Sequence, residues 1–207
     1  VADFCANPVA VFGLALLAVI LFLALFAPLI SPQNPYDLAQ LDVMDSRLPP
    51  GSASGSGGTF WLGTDDQGRD MLSAIFYGLR ISLGVGTLAT VCALAIGLFV
   101  GLVAAWFGGW VEAVIMRLVD LQLSFPSILI ALVLLASLGQ GVDKIIIALI
   151  TVQWAYYART VRGAALVERN KEYIEAATCL ALSTPRILFR HLLPNVLPPL
   201  IVIATVQ

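Results

Sequence analysis

The 207-residue chain predicts an all-α, polytopic membrane helical bundle, and three observations carry that class. Hydrophobic residues make up 59% of it and charged residues only 12%, with a mean hydropathy of +0.94, a balance foreign to soluble domains. Several uncharged runs approach the roughly 20 residues that cross a hydrocarbon core of about 30 Å. Six of the eleven basic residues, Arg159, Arg162, Arg169, Lys171, Arg186 and Arg190, crowd one polar stretch between such runs.

The first run, Pro8 to Ile30, carries no charge and stops at Ser31-Pro32, where a helix is hard to continue. Residues 1–30 therefore read as an N-terminal segment with the first span. Residues 31–74 form a long loop outside the membrane, rich in Pro and Asp, with a flexible Gly/Ser centre at 51–58. Thr64-Asp65-Asp66-Gln67 has the form of a capping box, so a helix is expected to start there. Its opening face of Met71, Leu72, Ile75 and Leu79 suits a surface position before the chain turns into span two, Ser82 to Trp106.

Gly108-Gly109 ends that span, and span three runs from Ala113 to Leu138 with a kink at Pro126. Gly139-Gln140-Gly141 turns the chain into span four, Ile145 to Ala165. A polar insert over about 166–194 follows, within a core of residues 75–207. Thr184-Pro185 reads as N-cap and N1 of a second short helix in the insert, and Pro194 marks re-entry into the membrane. The apolar run from Leu197 to Val206 is too short to cross, so the bundle is expected to be truncated in its fifth span and the native protein to continue.

A net charge of −2 says little as a total, but its placement orients the chain. The basic insert belongs on the cytoplasmic side by the positive-inside rule. Counting back puts the loop of residues 31–74 outside, where acids outnumber Arg47 and Arg69. Cys5, Cys92 and Cys179 lack metal or redox spacing and read as packing residues. Trp61, Trp106, Trp110, Tyr156 and Tyr157 fall near span ends, as interfacial anchors do.

In span two Ala89, Ala93, Gly97, Gly101 and Ala105 recur every fourth residue, and a stripe of small residues lets helix backbones approach closely in lipid. Packing within the chain is the simplest use of it, and a subunit interface the other. Arg117 and Asp120, three apart, read as a structural ion pair; Asp143 and Lys144 read as solvated. No G-x-x-x-x-G-K-[ST] loop occurs, so any ATP hydrolysis would reside on another chain. Nor does an HExxH, a Ser/His pair or a paired-Asp constellation occur inside a span, which argues against an intramembrane enzyme.

Glu175-Ala176-Ala177, then Leu180 and Ala181, Pro185, and His191-Leu192-Leu193-Pro194 resemble the EAA loop of binding-protein-dependent ABC importer permeases. That family has Gly where this chain has Ala181, whose Cβ resists a left-handed backbone. The stretch Leu62-Gly63-Thr64-Asp65-Asp66-Gln67-Gly68-Arg69-Asp70, with Tyr77-Gly78-Leu79-Arg80-Ile81-Ser82-Leu83, resembles the segment before the second span in dipeptide, oligopeptide and nickel permeases. Arg117-Leu118-Val119-Asp120 and Phe125-Pro126 are similar to that subfamily too.

The resemblance implies the type I ABC importer permease fold and a C-type subunit working with a B-type permease subunit, two ATP-binding cassette subunits and an external solute-binding protein. ATP and Mg would bind those partners, no cofactor or metal this chain, and no nucleic acid is implied. Glu175, Ala176, Ala177, Leu180, Ala181, Pro185, His191, Leu193 and Pro194 would couple to the ATPase. Thr64, Asp65, Asp66, Arg69 and Asp70 would contact the binding protein or hold a cation, although acids at a helix start are their plainest use. The location implied is a bacterial or archaeal cytoplasmic membrane. The competing reading is an ATP-independent channel or secondary transporter subunit, which would work without partner chains.

Overall fold

The computed structural model describes residues 7–54 and 57–206 in two compact units, one reaching to Gly84 and the other starting at Val85. Cys5 lies outside the described residues.

In the first unit, helix α1 (Pro8–Ile30) begins where the Asn7 side chain accepts from the Val9 and Ala10 amides and Pro8 occupies the first turn. Its bounds are those of the first apolar run. The described residues of the loop beyond carry short regular elements. Two single-turn 3-10 segments, Leu38–Gln40 and Val43–Asp45, are capped by Asp37 and Asp42, and a small antiparallel hairpin pairs β1 (Ser52–Ala53) with β2 (Thr59–Phe60). The Gly/Ser stretch thus forms a hairpin on either side of residues 55–56, which lie outside the described residues, and Phe60 is buried beside it.

The capping box expected at Thr64 does not form. The Thr64 hydroxyl accepts from the Leu48 amide at 2.8 Å and donates to the Asp45 carbonyl, stapling the loop instead of capping a helix. Helix α2 (Met71–Phe107) starts six residues after the expected turn, where Asp70 accepts from the Ser73 amide at 2.8 Å and from its hydroxyl at 2.6 Å. It then continues as one helix, about 55 Å long at 1.5 Å per residue, without the expected turn between a surface segment and a span.

In the second unit, α3 (Gly109–Leu123) and α4 (Ser127–Leu138) replace the single kinked span three. They meet at 87° across Ser124–Pro126, a break and not the kink expected within one helix. Pro126 has no amide to offer the Gln122 carbonyl, which accepts from the Phe125 amide at 3.3 Å instead. Helix α5 (Val142–Arg169) holds the centre of this unit, with Ala148, Ala155, Tyr157, Ala158, Val161 and Ala165 buried. Helix α6 (Glu172–Cys179) and a final helix α7 (Thr184–Val206) complete it.

Among the described residues three helices, α1, α2 and α7, are long and apolar enough to cross a membrane, and the bent pair α3–α4 makes a fourth if it counts as one span. Helix α5 is long enough but less apolar, since it carries Gln153, Arg159 and Arg162, the two arginines paired with acids of α3. Helix α7 runs without a break through Pro194, where re-entry was expected, and its 23 residues make a longer element than the run beginning at Leu197. A π-helical segment, Ile187–Leu192, precedes Pro194, and the Leu193 amide bonds the Leu188 carbonyl five residues back. Local π geometry is how a helix absorbs misplaced backbone partners around proline.

Candidate functional site

The candidate site is the segment between α5 and the π-segment, and its shape follows from how α6 ends. The Leu182 amide donates to the Ala177 carbonyl at 3.2 Å and the Ala181 amide to Thr178 at 2.9 Å, the paired bonds of a Schellman cap. That cap needs a left-handed residue, and Ala181 supplies it at φ 54°. The position where the resemblance has glycine is thus the position where the backbone wants one. Helix α7 then starts with Ser183 as N-cap and Pro185 in its first turn, one residue earlier than expected.

Only part of α6 is available to a partner. Ile174 and Ala177 are buried with Ala105, Val161, Ala165, Ile187, Leu192, Val196 and Leu200 in one apolar cluster. Glu175, Ala176, Leu180, Ala181, Pro185 and Pro194 are exposed, Leu180 at 74%. Ala177, expected on the docking face, therefore points into this chain's own core. His191 and Leu193 are half-buried. Beside the exposed face lies a pocket of about 430 Å³ lined by Trp106, Arg169, Asn170, Ile174, Glu175 and Thr178. Arg169 lies over the Trp106 ring, 5.8 Å from its centroid, and donates to the Ala105 carbonyl at 2.7 Å, closing off the end of α2.

Helix α5 carries α6 at its end and is held by its neighbours through two different means. All five stripe residues of α2 are buried, and Gly97 and Gly101 meet α5 so closely that an added Cβ would lie 2.5 Å from Tyr157 Cβ and 2.6 Å from the Ala158 carbonyl oxygen. Tyr157 is accordingly a core residue and not an interfacial anchor. Toward α3, around an apolar patch of Val119, Ala155 and Ala158, there are polar ties as well. Arg162 pairs with Glu112, Nε to Oε1 at 2.7 Å, Arg159 pairs with Asp120, and Gln122 accepts from Trp154 Nε1 at 2.9 Å while donating to the Thr151 carbonyl. Asp120 thus pairs across helices with Arg159, not with Arg117 as expected. Asp143 and Lys144 form an exposed pair at 2.8 Å, which holds the Asp143 carboxyl below its ordinary range.

A further set of polar residues escaped sequence reading. Tyr173 donates to Glu168 Oε2 at 2.6 Å and Lys171 pairs with Glu168 Oε1 at 2.6 Å, which holds that carboxyl below its usual range. Burial and the neighbouring carboxylate push the Tyr173 phenol up to about 12. Asn195 reaches the same phenol from α7 at 3.1 Å. Spacing gave no hint of Asn195, which sits 22 residues from Tyr173.

In the first unit, the stretch around Thr64 to Asp70 is a folded staple. Arg47 Nε pairs with Asp66 at 2.6 Å, which holds that carboxyl low, Asp65 Oδ1 accepts from the Gln67 and Arg69 amides, and Asp70 is buried. Gly63 and Gly68 adopt φ 79° and 75°, with the Leu48 and Asp42 carbonyls packed where a Cβ would sit. Among the described residues no group of three or more metal-ligating side chains gathers, so the cation-site reading of these acids gains no donor set. A cavity of about 580 Å³ in this unit is lined instead by residues such as Gln33, Gln40, Asp42, Asp45 and Phe60.

Fold and site together define a polytopic helical membrane protein that presents a short capped helix on a helix bundle. Residues 93–207 match the family described as binding-protein-dependent transport system inner membrane component, and residues 1–50 match the N-terminal TM domain of oligopeptide transport permease C. The chain is 37% identical over 199 residues to a dipeptide transport system permease protein of Alkalihalophilus pseudofirmus, covering 96% of this chain and 62% of that one. It is 37% identical to a di/tripeptide transport system permease protein of Pseudomonas aeruginosa, covering 99% and 67%, and 35% identical to an oligopeptide transport system permease protein of Bacillus subtilis, covering 98% and 63%. The chain spans about two thirds of the length of these relatives. It belongs to the family of binding-protein-dependent transport system inner membrane components, with the type I ABC importer permease fold.

Proposed function

We propose that this chain is part of the transmembrane permease subunit of an ATP-driven, binding-protein-dependent importer of di- or oligopeptides, working by alternating access. The observation that carries the reading is α6: an exposed face of Glu175, Ala176 and Leu180 on a helix whose other face, Ile174 and Ala177, is built into the bundle core. Such an element can receive a push from outside the membrane and pass it to helices without unfolding. The three relatives described above are peptide transport permeases, which supports peptide as the solute. Partners would be a B-type permease subunit, two ATP-binding cassette subunits that bind ATP and Mg, and an external solute-binding protein. The clustering of basic residues around α6 favours the cytoplasmic face of a bacterial or archaeal cytoplasmic membrane for it.

The test is purification of the full-length subunit with its accompanying chains, reconstitution in liposomes, and measurement of ATPase activity with and without loaded binding protein. Stimulation by the binding protein, abolished by Glu175→Lys with the complex intact, is the expected outcome. Solute flux through this subunit alone, with no ATPase bound, would refute the reading and favour a channel.

A further inference from the structure

The phenol of Tyr173 joins three elements that the backbone links only by tight turns. Its hydroxyl donates to Glu168 Oε2 of α5 at 2.6 Å and accepts from Asn195 Nδ2 of α7 at 3.1 Å. Both outer partners are themselves fixed: Glu168 Oε1 by Lys171 Nζ at 2.6 Å, and Asn195 Nδ2 by the His191 carbonyl of the π-segment at 2.8 Å. The apolar cluster under α6 holds the helix against the bundle but is non-directional, so it does not by itself fix the helix's angle. Hydrogen bonds, and above all one to a carboxylate, fix an angle.

We propose that Tyr173 is a positioning residue that locks α6 to α5 and to α7, so that displacement of α6 moves both helices as one body. The proposal rests on the permease reading above and deepens it by naming the joint through which coupling passes. Without the phenol, α6 would still dock on its partner and still be displaced, but the displacement would be lost in the turns at Asn170 and Ala181.

The experiment uses the reconstituted full importer with its ATPase subunits and binding protein, supplied with labelled dialanine, as wild type, Tyr173→Phe, Asn195→Ala and the double variant. Tyr173→Phe keeps the ring and loses only the hydroxyl. It should leave the ATPase subunits bound while raising the ATP hydrolysed per peptide imported by on the order of tenfold, the scale of a lost hydrogen bond to a charged group. Asn195→Ala should act in the same direction, and the double variant should be no worse than Tyr173→Phe within about twofold, because both remove one joint. An unchanged ratio in Tyr173→Phe, effects that multiply in the double variant, or loss of the ATPase subunits would each overturn the lock while leaving the permease reading standing. A wild-type complex with neither uptake nor stimulated ATPase would overturn both.

Discussion

Gly101 offers the sharpest test of how α2 and α5 are held together. A Cβ at this position would lie 2.6 Å from the Ala158 carbonyl oxygen and 2.7 Å from Val161 Cβ, where about 3.4–4 Å is ordinary contact. The first obstacle is backbone, so no rotamer change relieves it, and the two helices must separate by nearly 1 Å at their closest approach. Overpacking of this kind costs about 1–3 kcal/mol. Gly86 on the same helix has nothing within 4 Å of its added Cβ, so Gly86→Ala should be neutral or stabilise by up to about 1 kcal/mol through helix propensity. For a chain of this length each kcal/mol moves the midpoint by about 2–4 °C. Gly101→Ala should therefore melt several degrees below wild type, and Gly86→Ala at or above it, when purified protein is heated in detergent and the surviving folded peak is measured by size exclusion. Equal midpoints for the two variants would refute close packing at the small stripe.

Ala181→Gly should raise the midpoint, since it relieves roughly 1 kcal/mol of left-handed strain at φ 54°, and a drop would show that Ala181 makes contacts outweighing that strain. Reversing one partner of the half-buried Glu112–Arg162 pair, as Arg162→Glu, should destabilise by about 1–3 kcal/mol, and Glu112→Arg in the same chain should restore most of the loss in the same melting assay. The Tyr173 phenol, raised to about 12, contributes stability that is complete below its ordinary value and disappears as pH rises toward 12. Absorbance of tyrosinate near 295 nm should show no difference between wild type and Tyr173→Phe at pH 11, with the difference emerging only above it.

The spans were the most legible part of the chain, and the ends of elements the least. Pro8 to Ile30 could be read to the residue because the run is uncharged and its stop, Ser31-Pro32, is local chemistry. The small stripe was legible because a four-residue period survives on any helix face, although nothing in the period said that α5 was the partner. Thr64 was misread because a capping box is a pattern that a loop can also use: its hydroxyl found Asp45 and Leu48, sixteen or more residues away, and no local rule predicts that. Asp120 was misassigned for the same reason, since Arg117 is nearer in sequence but Arg159 is nearer in space. Asn195 and Tyr173 were invisible because a single polar pair across 22 residues leaves no periodic trace.

Several departures from ordinary helix rules fall at the candidate site and just beyond it. Between Ala181 and Pro199 the chain accepts a left-handed alanine, a π-segment, and three prolines inside one helix. Each is a local penalty: left-handed alanine costs about 1–2 kcal/mol, and a proline inside a helix removes a backbone bond at about 3 kcal/mol in water. A segment needed only to connect two spans would carry none of them, because a plain polar turn does that work. They are held in place by the apolar cluster of Ile174, Ala177, Ile187, Leu192, Val196 and Leu200, which supplies the burial that offsets local strain. Local conflict overruled by tertiary packing is expected where geometry is set by function rather than by economy of folding. The same reasoning says which half of the segment should tolerate change: Ala177→Asp would break this chain's own core before it touched a partner, whereas Glu175→Lys alters only the exposed face. Melting Ala177→Asp beside Glu175→Lys should show the first destabilised by several kcal/mol and the second within about 0.5 kcal/mol of wild type. Equal stability would place Ala177 outside the core.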